Sequence, residues 1–328
     1  MPKTTHESER KMKISVIIPT YQRSDMLMEA LRSLREQTLF PGDFEVIIID
    51  NSRDGVERLM KLSDEEEKLN LVYTHEPQCG LHYARHAGAK VAKYEILAYL
   101  DDDVICQPGW LKGMIEAFGD ENVAMVAGRT LLKFEGVNSL PCNPRTFAGM
   151  YSEFELGDKS FFLAPYKSAV GANMGVRKKN LFAMGGFNPD GFGDRYLIKY
   201  RGDGESGLAR KFYEAGYKIL YSAEACLYHR VSAERQTLGY LVKRAQNSGI
   251  EFIYGEFRYK RNYLNIVRLT FLASAKAVIH LLLYCVTSKN TRPRHLVAYH
   301  IHSSAAGQAV RLLFSPQLQK QTIKESYI

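Results

Sequence analysis

Three consecutive aspartates, Asp101, Asp102 and Asp103, follow the short apolar run 96–100. Their charges repel one another, and burial of an unpaired carboxylate is costly, so such a cluster stabilises neither a helix nor a strand. Hard divalent cations such as Mg²⁺ take oxygen ligands, commonly carboxylates together with substrate phosphates. The cluster therefore indicates a cation site, although an acidic turn before a helix opened by Pro108 would have the same sequence.

Two further acids, Asp203 and Glu205, stand between glycines at positions 202, 204 and 207. Glycines let the backbone and its neighbouring carboxylates approach a ligand closely, and a carboxylate in hydrogen-bond reach of a hydroxyl can act as a general base. The same acids would suit the N-terminal end of a helix, where the helix dipole favours negative charge. His229 ends the apolar run 226–228, a position typical of a structural histidine and also open to a metal ligand.

The elements that would position these residues alternate between strands and helices in the first half of the chain. This alternation predicts βαβ units, a mainly parallel sheet and right-handed crossovers. The predicted strands are 14–19, 44–49, 71–74, 95–100 and 123–127, and the predicted helices are 25–37, 55–69, 81–92 and 108–118. An irregular stretch at 129–170 precedes a helix at 208–215 and short strands at 217–222 and 225–229.

Polar residues follow three of the predicted strands, and we expect them to share one rim of the sheet. They are the segments 20–23, 50–52 and 101–103. In open sheets of this kind, ligands bind beyond the carboxyl ends of the strands. The shared rim supports a site for a metal ion and a nucleotide more strongly than the aspartates do alone.

Charge and cysteine content set limits on the class of protein. The five cysteines are scattered without a CxxC pair, so neither a zinc site nor a disulfide framework is indicated, and a reducing, cytoplasmic setting fits. The first residues lack the apolar core of a signal peptide, and we expect a disordered lead-in over 1–12. Residues 239–328 carry 13 basic and 3 acidic side chains, whereas the preceding part carries 31 and 33.

The basic C-terminal region, 239–328, is predicted to be mostly helical. Its apolar run 269–286 is interrupted by Lys276 and His280, which argues against a spanning helix. Positive charge beside exposed apolar helices suits an interfacial helix on an anionic membrane surface. An ordinary helical subdomain that packs on the rest of the chain or forms a homo-oligomer fits equally well. No nucleic-acid partner is expected, because no recognised binding motif accompanies the charge.

Several motifs in order resemble the inverting, family-2 glycosyltransferases of the GT-A fold. The resemblance covers roughly residues 13–230, and the ordered set is far more specific than any one motif. The matching segments are 16–21 with Arg23, 46–52, Gly80 with Ala84, Arg85 and Gly88, 99–103, 171–174, 185–187, 202–205 and 215–217. The implied fold is α/β, a Rossmann-like mixed sheet over 13–238 that forms the catalytic domain, with a C-terminal helical extension.

The resemblance implies roles on the nucleotide and metal side. Asp50 would accept a hydrogen bond from the base, a contact that favours uracil, and Arg85 would lie close to the base or the diphosphate. Asp101 to Asp103 resembles the DxD motif, with Asp103 a direct ligand of Mn²⁺ or Mg²⁺ and His229 completing the metal shell. The residues implied in nucleotide binding are Pro19, Thr20, Tyr21, Arg23, Asp50, Asn51, Arg85, Asp101 and Asp102, and those implied in metal binding are Asp101, Asp103 and His229.

The resemblance also implies an acceptor side. Inversion requires a base on the face of the sugar opposite the leaving group. Counting back from Leu208 and Gly216 places Glu205 at the position of the usual base, while Asp203 is the alternative base or an acceptor ligand. Asn173 resembles a position near the donor sugar or the acceptor.

The predicted function is therefore a metal-dependent, inverting glycosyltransferase of polysaccharide biosynthesis. Its partners would be a nucleotide-sugar donor, with UDP-sugar preferred, and a hydroxyl of a glycan or lipid-linked acceptor. It would be cytoplasmic, or peripheral at the inner face of the cell membrane. A nucleotidyltransferase is disfavoured because the segment 19–23 lacks a glycine-rich loop. A catalytically silent sugar-nucleotide-binding or scaffold protein of the same fold is the alternative.

Overall fold

The computed structural model describes residues 12–39, 41–52, 69–190 and 201–328. The predicted lead-in and the predicted helix at 55–69 lie outside the described residues, apart from Met12 and Leu69 at their edges.

One twisted sheet joins all the strands of the described chain. Runs rich in β-branched residues that are buried at every position, as in residues 14–20 and 44–50, favour a parallel sheet covered on both faces. The strands are β1 (Ile14–Thr20), β2 (Phe44–Asp50), β3 (Leu71–His75), β4 (Ile96–Leu100), β5 (Val104–Cys106), β6 (Val123–Phe134), β7 (Phe161–Phe162), β8 (Asn173–Arg177) and β9 (Lys218–Val231). Their order is β3-β2-β1-β4-β8-β6-β9-β5, with β7 on β9.

The sheet is mixed, as the resemblance implies. Neighbouring strands among β1 to β4 are parallel to one another. β8 lies between β4 and β6 and is antiparallel to both. The helices that cover the two faces of the sheet are α1 (Ser24–Arg35), α2 (Leu81–Val91), α3 (Trp110–Glu116), α4 (Lys178–Ala183) and α5 (Gly204–Glu214). One apolar cluster lies between the sheet and α1 and α3, and a separate cluster lies between the sheet and α2, α4 and α5.

Two strands are longer than their sequence predicts. β6 continues past residue 127 to Phe134, and β9 is one strand where two short ones are predicted. The ladder between them shifts register near Gly128, and β9 passes there through the polar residues Ser222 and Glu224. An irregularity of this kind breaks the alternation that marks a strand, which explains the underprediction.

The C-terminal region is helical, as predicted. It consists of α6 (Leu238–Lys260), α7 (Tyr263–Val286), α8 (Arg292–Phe314) and α9 (Pro316–Thr322). α8 packs against both α6 and α7, and an apolar cluster fills the space between them. Gly249 lies at the closest approach, where a Cβ would stand 2.2 Å from the carbonyl oxygen of Ile301.

The two outer faces of this region differ. Among the described helices, α7 alone is long and apolar enough to cross a membrane by length and composition, with a mean hydropathy of 1.8, and only a narrow stripe of it is buried. α6 instead contacts the sheet domain, where Tyr259 and Arg244 donate hydrogen bonds to Asp203 and to the Met150 carbonyl. The C-terminal helices therefore pack onto the sheet domain, and α6 provides part of that contact.

Candidate active site

The carboxyl ends of β1, β2 and β4 lie side by side. Thr20 pairs with Asp50 in the β1–β2 ladder, and β4 brings the aspartates out next to β1. The Thr20 hydroxyl donates a 2.8 Å hydrogen bond to Asp102 Oδ2. The structure thus places together the three polar segments that end these strands.

Asp102 is buried between Thr20 and Arg23. Arg23 Nη1 lies 3.3 Å from Asp102 Oδ1 and 3.1 Å from Asp103 Oδ2. Burial, reinforced by Asp103, raises the pKa of Asp102 to about 6 although Arg23 opposes the shift. Arg23 and the Tyr21 ring remain about half exposed at the rim, whereas Pro19 is buried in β1. The rim therefore offers a cation and an aromatic face to solvent beside the acids.

Asp103 is held by three cationic or imidazole groups. β5 pairs with β9 so that Val104 faces His229, which brings the imidazole Nε2 within 3.2 Å of Asp103 Oδ1. Arg235 donates to Asp103 Oδ2 and lies 3.4 Å from the same imidazole nitrogen. Burial would raise the pKa of Asp103, but His229, Arg235 and Arg23 together hold it well below its usual range.

Asp101, Asp103 and His229 form a donor set that fits a divalent cation. One ligand atom from each lies within 4.8 Å of the others. Arg23 and Arg235 both bind Oδ2 of Asp103, whereas Oδ1 is buried 3.2 Å from His229 Nε2 and, among the described residues, accepts no hydrogen bond of good geometry. Burial and repulsion from Asp103 raise the pKa of Asp101. Two carboxylates and an imidazole suit Mn²⁺ and are acceptable to Mg²⁺, and a cation would relieve that repulsion.

A second ionic cluster surrounds Arg85, which α2 carries under the rim. Arg85 is 2% exposed, and its Nη1 lies 3.3 Å from both Asp190 Oδ2 and Glu205 Oε2. Burial would lower the pKa of Arg85, but the two carboxylates and Asp101 raise it, so the guanidinium is charged. Burial also raises the pKa of Asp190 to about 7, against the effect of Arg85.

Glu205 stands in the first turn of α5, where an acid is favoured by the helix dipole. Its Oε1 accepts a 3.1 Å hydrogen bond from the Gly171 amide. Burial opposes ionisation, but Arg85 and this amide hold the pKa of Glu205 below its ordinary value. Its side chain retains 24% exposure and lines a cleft. Glu205 is therefore an ionised carboxylate that a ligand can reach.

Asp203 is more deeply buried than Glu205. Its Oδ1 accepts a 2.6 Å hydrogen bond from Asn188 Nδ2, and its Oδ2 accepts a 2.7 Å hydrogen bond from the Tyr259 hydroxyl. Tyr259 belongs to α6, so this carboxylate connects the C-terminal helices to the start of α5.

The side chains of Asp50 and Asn51 both form hydrogen bonds within the protein, but with different partners. Asp50 accepts hydrogen bonds from the Ser52 amide and from the Tyr73 hydroxyl, both at 2.9 Å. Asn51 donates to the carbonyls of Glu76 and Gln78 and accepts from the Gly80 amide. Asn51 thereby holds the loop that leads into α2, and its role in nucleotide binding stays a prediction.

Asn173 pairs with Leu100, the last residue of β4 before the aspartates, and its side chain is fully buried. Its Oδ1 accepts a hydrogen bond from Trp110 Nε1, and its Nδ2 donates to the carbonyls of Arg129 and Ala225. These bonds fix β8 against α3 and the junction of β6 and β9. A role of Asn173 near the donor sugar or the acceptor stays a prediction.

Two clefts open beside Glu205. The inner cleft, of about 290 Å³, lies between Glu205 and residues of α6 that include Arg244 and Glu251. The outer cleft, of about 390 Å³, lies between α5 and α6 and is bordered by Tyr166. Both clefts are lined by Asp203, Ser206 and Glu251.

Sequence reasoning did not identify four residues of this region. Asp190, Arg235, Glu251 and Tyr259 contact or face the predicted site from separate segments of the chain. Arg235 follows His229 by six residues, which is no recognised spacing. Glu251 and Tyr259 lie in the basic C-terminal region, where the charge pattern points to a different role.

Comparison with known proteins identifies related sequences. Residues 15–180 match the sequence profile of Glycosyl transferase family 2. The chain is 22% identical over 239 residues to the glucosyl-dolichyl phosphate glucuronosyltransferase of Haloferax volcanii, covering 71% of this chain and 74% of that protein. It is 27% identical over 188 residues to the GalNAc(5)-diNAcBac-PP-undecaprenol beta-1,3-glucosyltransferase of Campylobacter jejuni, covering 57% of this chain and 58% of that protein.

A solved structure shares the fold over nearly the whole chain. The mannosyltransferase PcManGT from Pyrobaculum calidifontis, in complex with GDP-Man and Mn²⁺, superposes with a TM-score of 0.54 at 17% sequence identity. The superposition covers 92% of this chain and 74% of that one. It confirms the predicted GT-A fold with its helical C-terminal part.

Proposed function

The chain belongs to glycosyl transferase family 2, and we propose that it is a Mn²⁺- or Mg²⁺-dependent, inverting enzyme that moves a sugar from a UDP-sugar to a hydroxyl of a glycan or lipid-linked acceptor. The observation that carries this proposal is the pairing of two clusters on one rim. Asp101, Asp103 and His229 form one cluster, and Arg85 with Glu205 forms the other. The first suits a departing diphosphate and the second an attacking hydroxyl.

On the donor side, Asp50, Tyr21 and Arg23 surround the space next to the aspartates. Asp50 would accept from the uracil imide, the Tyr21 ring would pack against the base, and Arg23 and Arg85 would neutralise phosphate charge. When bound at Asp101, Asp103 and His229, a divalent cation would act as a Lewis acid on the diphosphate. The relative PcManGT was solved with a nucleotide sugar and Mn²⁺, which supports a cation of this kind.

On the acceptor side, Glu205 is the proposed general base. Both carboxylates line the inner cleft and have both oxygens engaged, but the Glu205 side chain is 24% exposed, whereas Asp203 is buried at 7% exposure between Asn188 and Tyr259. Proton transfer to a positioned carboxylate of this kind contributes about 10²–10⁴-fold to a rate. We assign Asp203 to positioning the start of α5 and propose Glu205 as the residue that accepts the proton of the attacking hydroxyl.

The proposed location is the cytoplasm, peripheral at the inner face of the membrane. Between residues 257 and 324 the chain carries eleven Lys or Arg and no Asp or Glu. Leu264, Phe271 and Leu282 of α7 are 82%, 72% and 62% exposed. Anionic lipid would match this charge, whereas a second copy docked on the same face would bring like charges together. The names of both curated relatives contain a polyprenyl carrier, which supports a lipid-linked acceptor.

A thermal-shift screen of nucleotide sugars, with and without Mn²⁺, tests the proposed activity. We expect a UDP-sugar to raise the melting temperature in the presence of the metal, since a ligand that binds only the folded state stabilises it. Asp103→Asn should reduce the metal-dependent part of the shift. Binding without transfer to any acceptor or to water would favour the silent sugar-nucleotide-binding alternative.

Flotation with vesicles tests the proposed location separately. The full chain should float with phosphatidylglycerol vesicles and stay in solution with phosphatidylcholine vesicles, and Phe271→Ser combined with Leu282→Ser should weaken flotation. A concentration-dependent dimer that these substitutions dissociate, with no flotation, would assign the surface to self-association instead.

A further inference from the structure

The inner and outer clefts adjoin one another beside the start of α5, and Asp203, Ser206 and Glu251 line both. We call the two clefts together the groove. The groove has helical walls whose residues recur at helical spacing. Asp203 immediately precedes α5 and is followed on that helix by Ser206 and Arg210, and α6 contributes Glu251, Phe252 and Gly255.

The lining changes along the groove. The inner cleft is polar, with serine hydroxyls and carboxylates around Glu205. The outer cleft carries aromatic rings, of which Tyr166 and Phe252 are 63% and 52% exposed. Tyr166 adopts a left-handed backbone (φ 63°), an unfavourable conformation for a bulky residue and one that clusters at ligand sites. Polar groups beside exposed aromatic faces match a sugar, which has hydroxyls at its edge and an apolar C–H face.

We propose that the acceptor is an oligosaccharide of at least two sugar residues, bound along the groove between α5 and α6 with its terminal sugar at Glu205. This inference rests on the proposed function. The inner cleft, of about 290 Å³, is at the lower limit of the roughly 300–1,000 Å³ typical of small-ligand sites, so it suits one sugar. The outer cleft extends the site for the next one, and Glu251 stands at the junction, where its carboxyl would bind hydroxyls of both.

Gly255 makes the groove testable without damage to the fold. A Cβ at this position of α6 would meet no atom of the described residues within 4 Å, so the space above it is open. A Gly255→Leu substitution would fill the outer cleft and should itself favour the helix. Gly307, in the interior of α8, is equally open and does not line either cleft, so Gly307→Leu is the matched control.

The experiment probes a glycan microarray that carries mono-, di- and trisaccharides with the full chain in the presence of UDP and Mn²⁺. We expect oligosaccharides to bind at least about tenfold more strongly than their terminal monosaccharides, because the outer cleft adds buried contacts. Gly255→Leu should remove that advantage, Phe252→Ala should reduce it about threefold to tenfold, and Gly307→Leu should leave it intact.

Equal binding of mono- and oligosaccharides, an unchanged preference in Gly255→Leu, or binding to no glycan on the array would overturn the inference. The nucleotide-sugar thermal shift, measured on the same samples, separates this failure from that of the proposed function. If the shift with UDP-sugar and Mn²⁺ is retained while length preference is absent, only the oligosaccharide groove is wrong. If the shift is absent, the proposed function fails with it.

Discussion

The proposed donor side and the proposed acceptor side of this site are built in different ways. Asp101 to Asp103 extend from the end of one central strand, and the three-residue strand that follows brings them to His229. The acceptor side combines Glu205 of α5 with Glu251 and Tyr259 of α6, a helix outside the region matched to the family. The donor side thus depends on local sequence and strand register, and the acceptor side depends on tertiary packing.

Because of this difference, we expect substitutions on the two sides to have different effects. Removing Arg23 would leave the buried like charges of Asp102 and Asp103 less well balanced, because both carboxylates pair with it. A change on the acceptor side alters the fit between two helices. We therefore expect donor-side variants to affect binding of the nucleotide sugar, and acceptor-side variants to affect transfer while the donor still binds.

The largest effect is expected for Glu205→Gln. It keeps the shape of the side chain and removes the proton acceptor, so kcat for transfer should fall about 10²–10⁴-fold. Nucleotide-sugar binding, followed by the thermal shift with Mn²⁺, should persist. Asp203→Asn serves as the comparison, and an equal loss of kcat there with full activity in Glu205→Gln would move the base to Asp203.

The next largest effect is expected for Asp103→Asn, which should weaken donor binding. The loss of one carboxylate charge from a set of two carboxylates and an imidazole should weaken Mn²⁺-dependent donor binding by about 10–100-fold, in line with the importance of ligand charge for metal affinity. Titration calorimetry with Mn²⁺ and UDP would measure this. Undiminished Mn²⁺ binding would remove Asp103 from the metal site.

A pH-dependent effect on stability is expected at Glu251. Burial, with Glu205 nearby, raises the pKa of Glu251 to about 7, so its ionisation disfavours the folded state. The contribution of this group to the free energy of unfolding therefore increases as pH falls from above the folded pKa towards the unfolded value, and is constant below both. Glu251→Gln lacks this dependence.

We expect Glu251→Gln to be more stable than the unsubstituted chain by about 1–3 kcal/mol near pH 8, with the difference shrinking towards about pH 5. Urea unfolding at both pH values measures it. A difference that is constant with pH would show that Glu251 titrates normally.

The smallest effect is expected for Tyr259→Phe. The substitution removes one hydrogen bond to Asp203 across the α5–α6 contact and keeps the ring, so the free energy of unfolding should fall by about 1 kcal/mol. Transfer to a glycan acceptor should show a higher KM with little change in donor binding. A change in donor affinity instead would contradict the division between the two sides.

The sequence predicts the donor side because strand ends are readable from it. The apolar runs before Thr20, Asp50 and Asp101 fix three neighbouring carboxyl ends, and parallel pairing then brings them together. The direction of the Asn173 side chain could not be read from the sequence, because both faces of the sheet are buried around β8. The assignments of Glu205, Asp203 and the other site residues stay predictions.

The acceptor side could not be derived from sequence. The packing of α6 against α8 and the sheet domain determines which face of α6 contacts α5. The strongly basic composition of this region gives no sequence signal for that contact. Asp190 and Arg235 enter the site through ion pairs with residues about 100 or more positions away, and composition and periodicity carry no signal for such pairs.

Gly249 gives this arrangement an evolutionary consequence. Any side chain there would collide with the backbone of α8 and push the two helices apart, and Glu251 lies only two residues further along the same helix. The inherited spacing of two helices therefore constrains which acceptors a descendant of this protein can adopt. New specificities would arise most easily at open positions such as Gly255, where drift can reshape the groove without moving the helices.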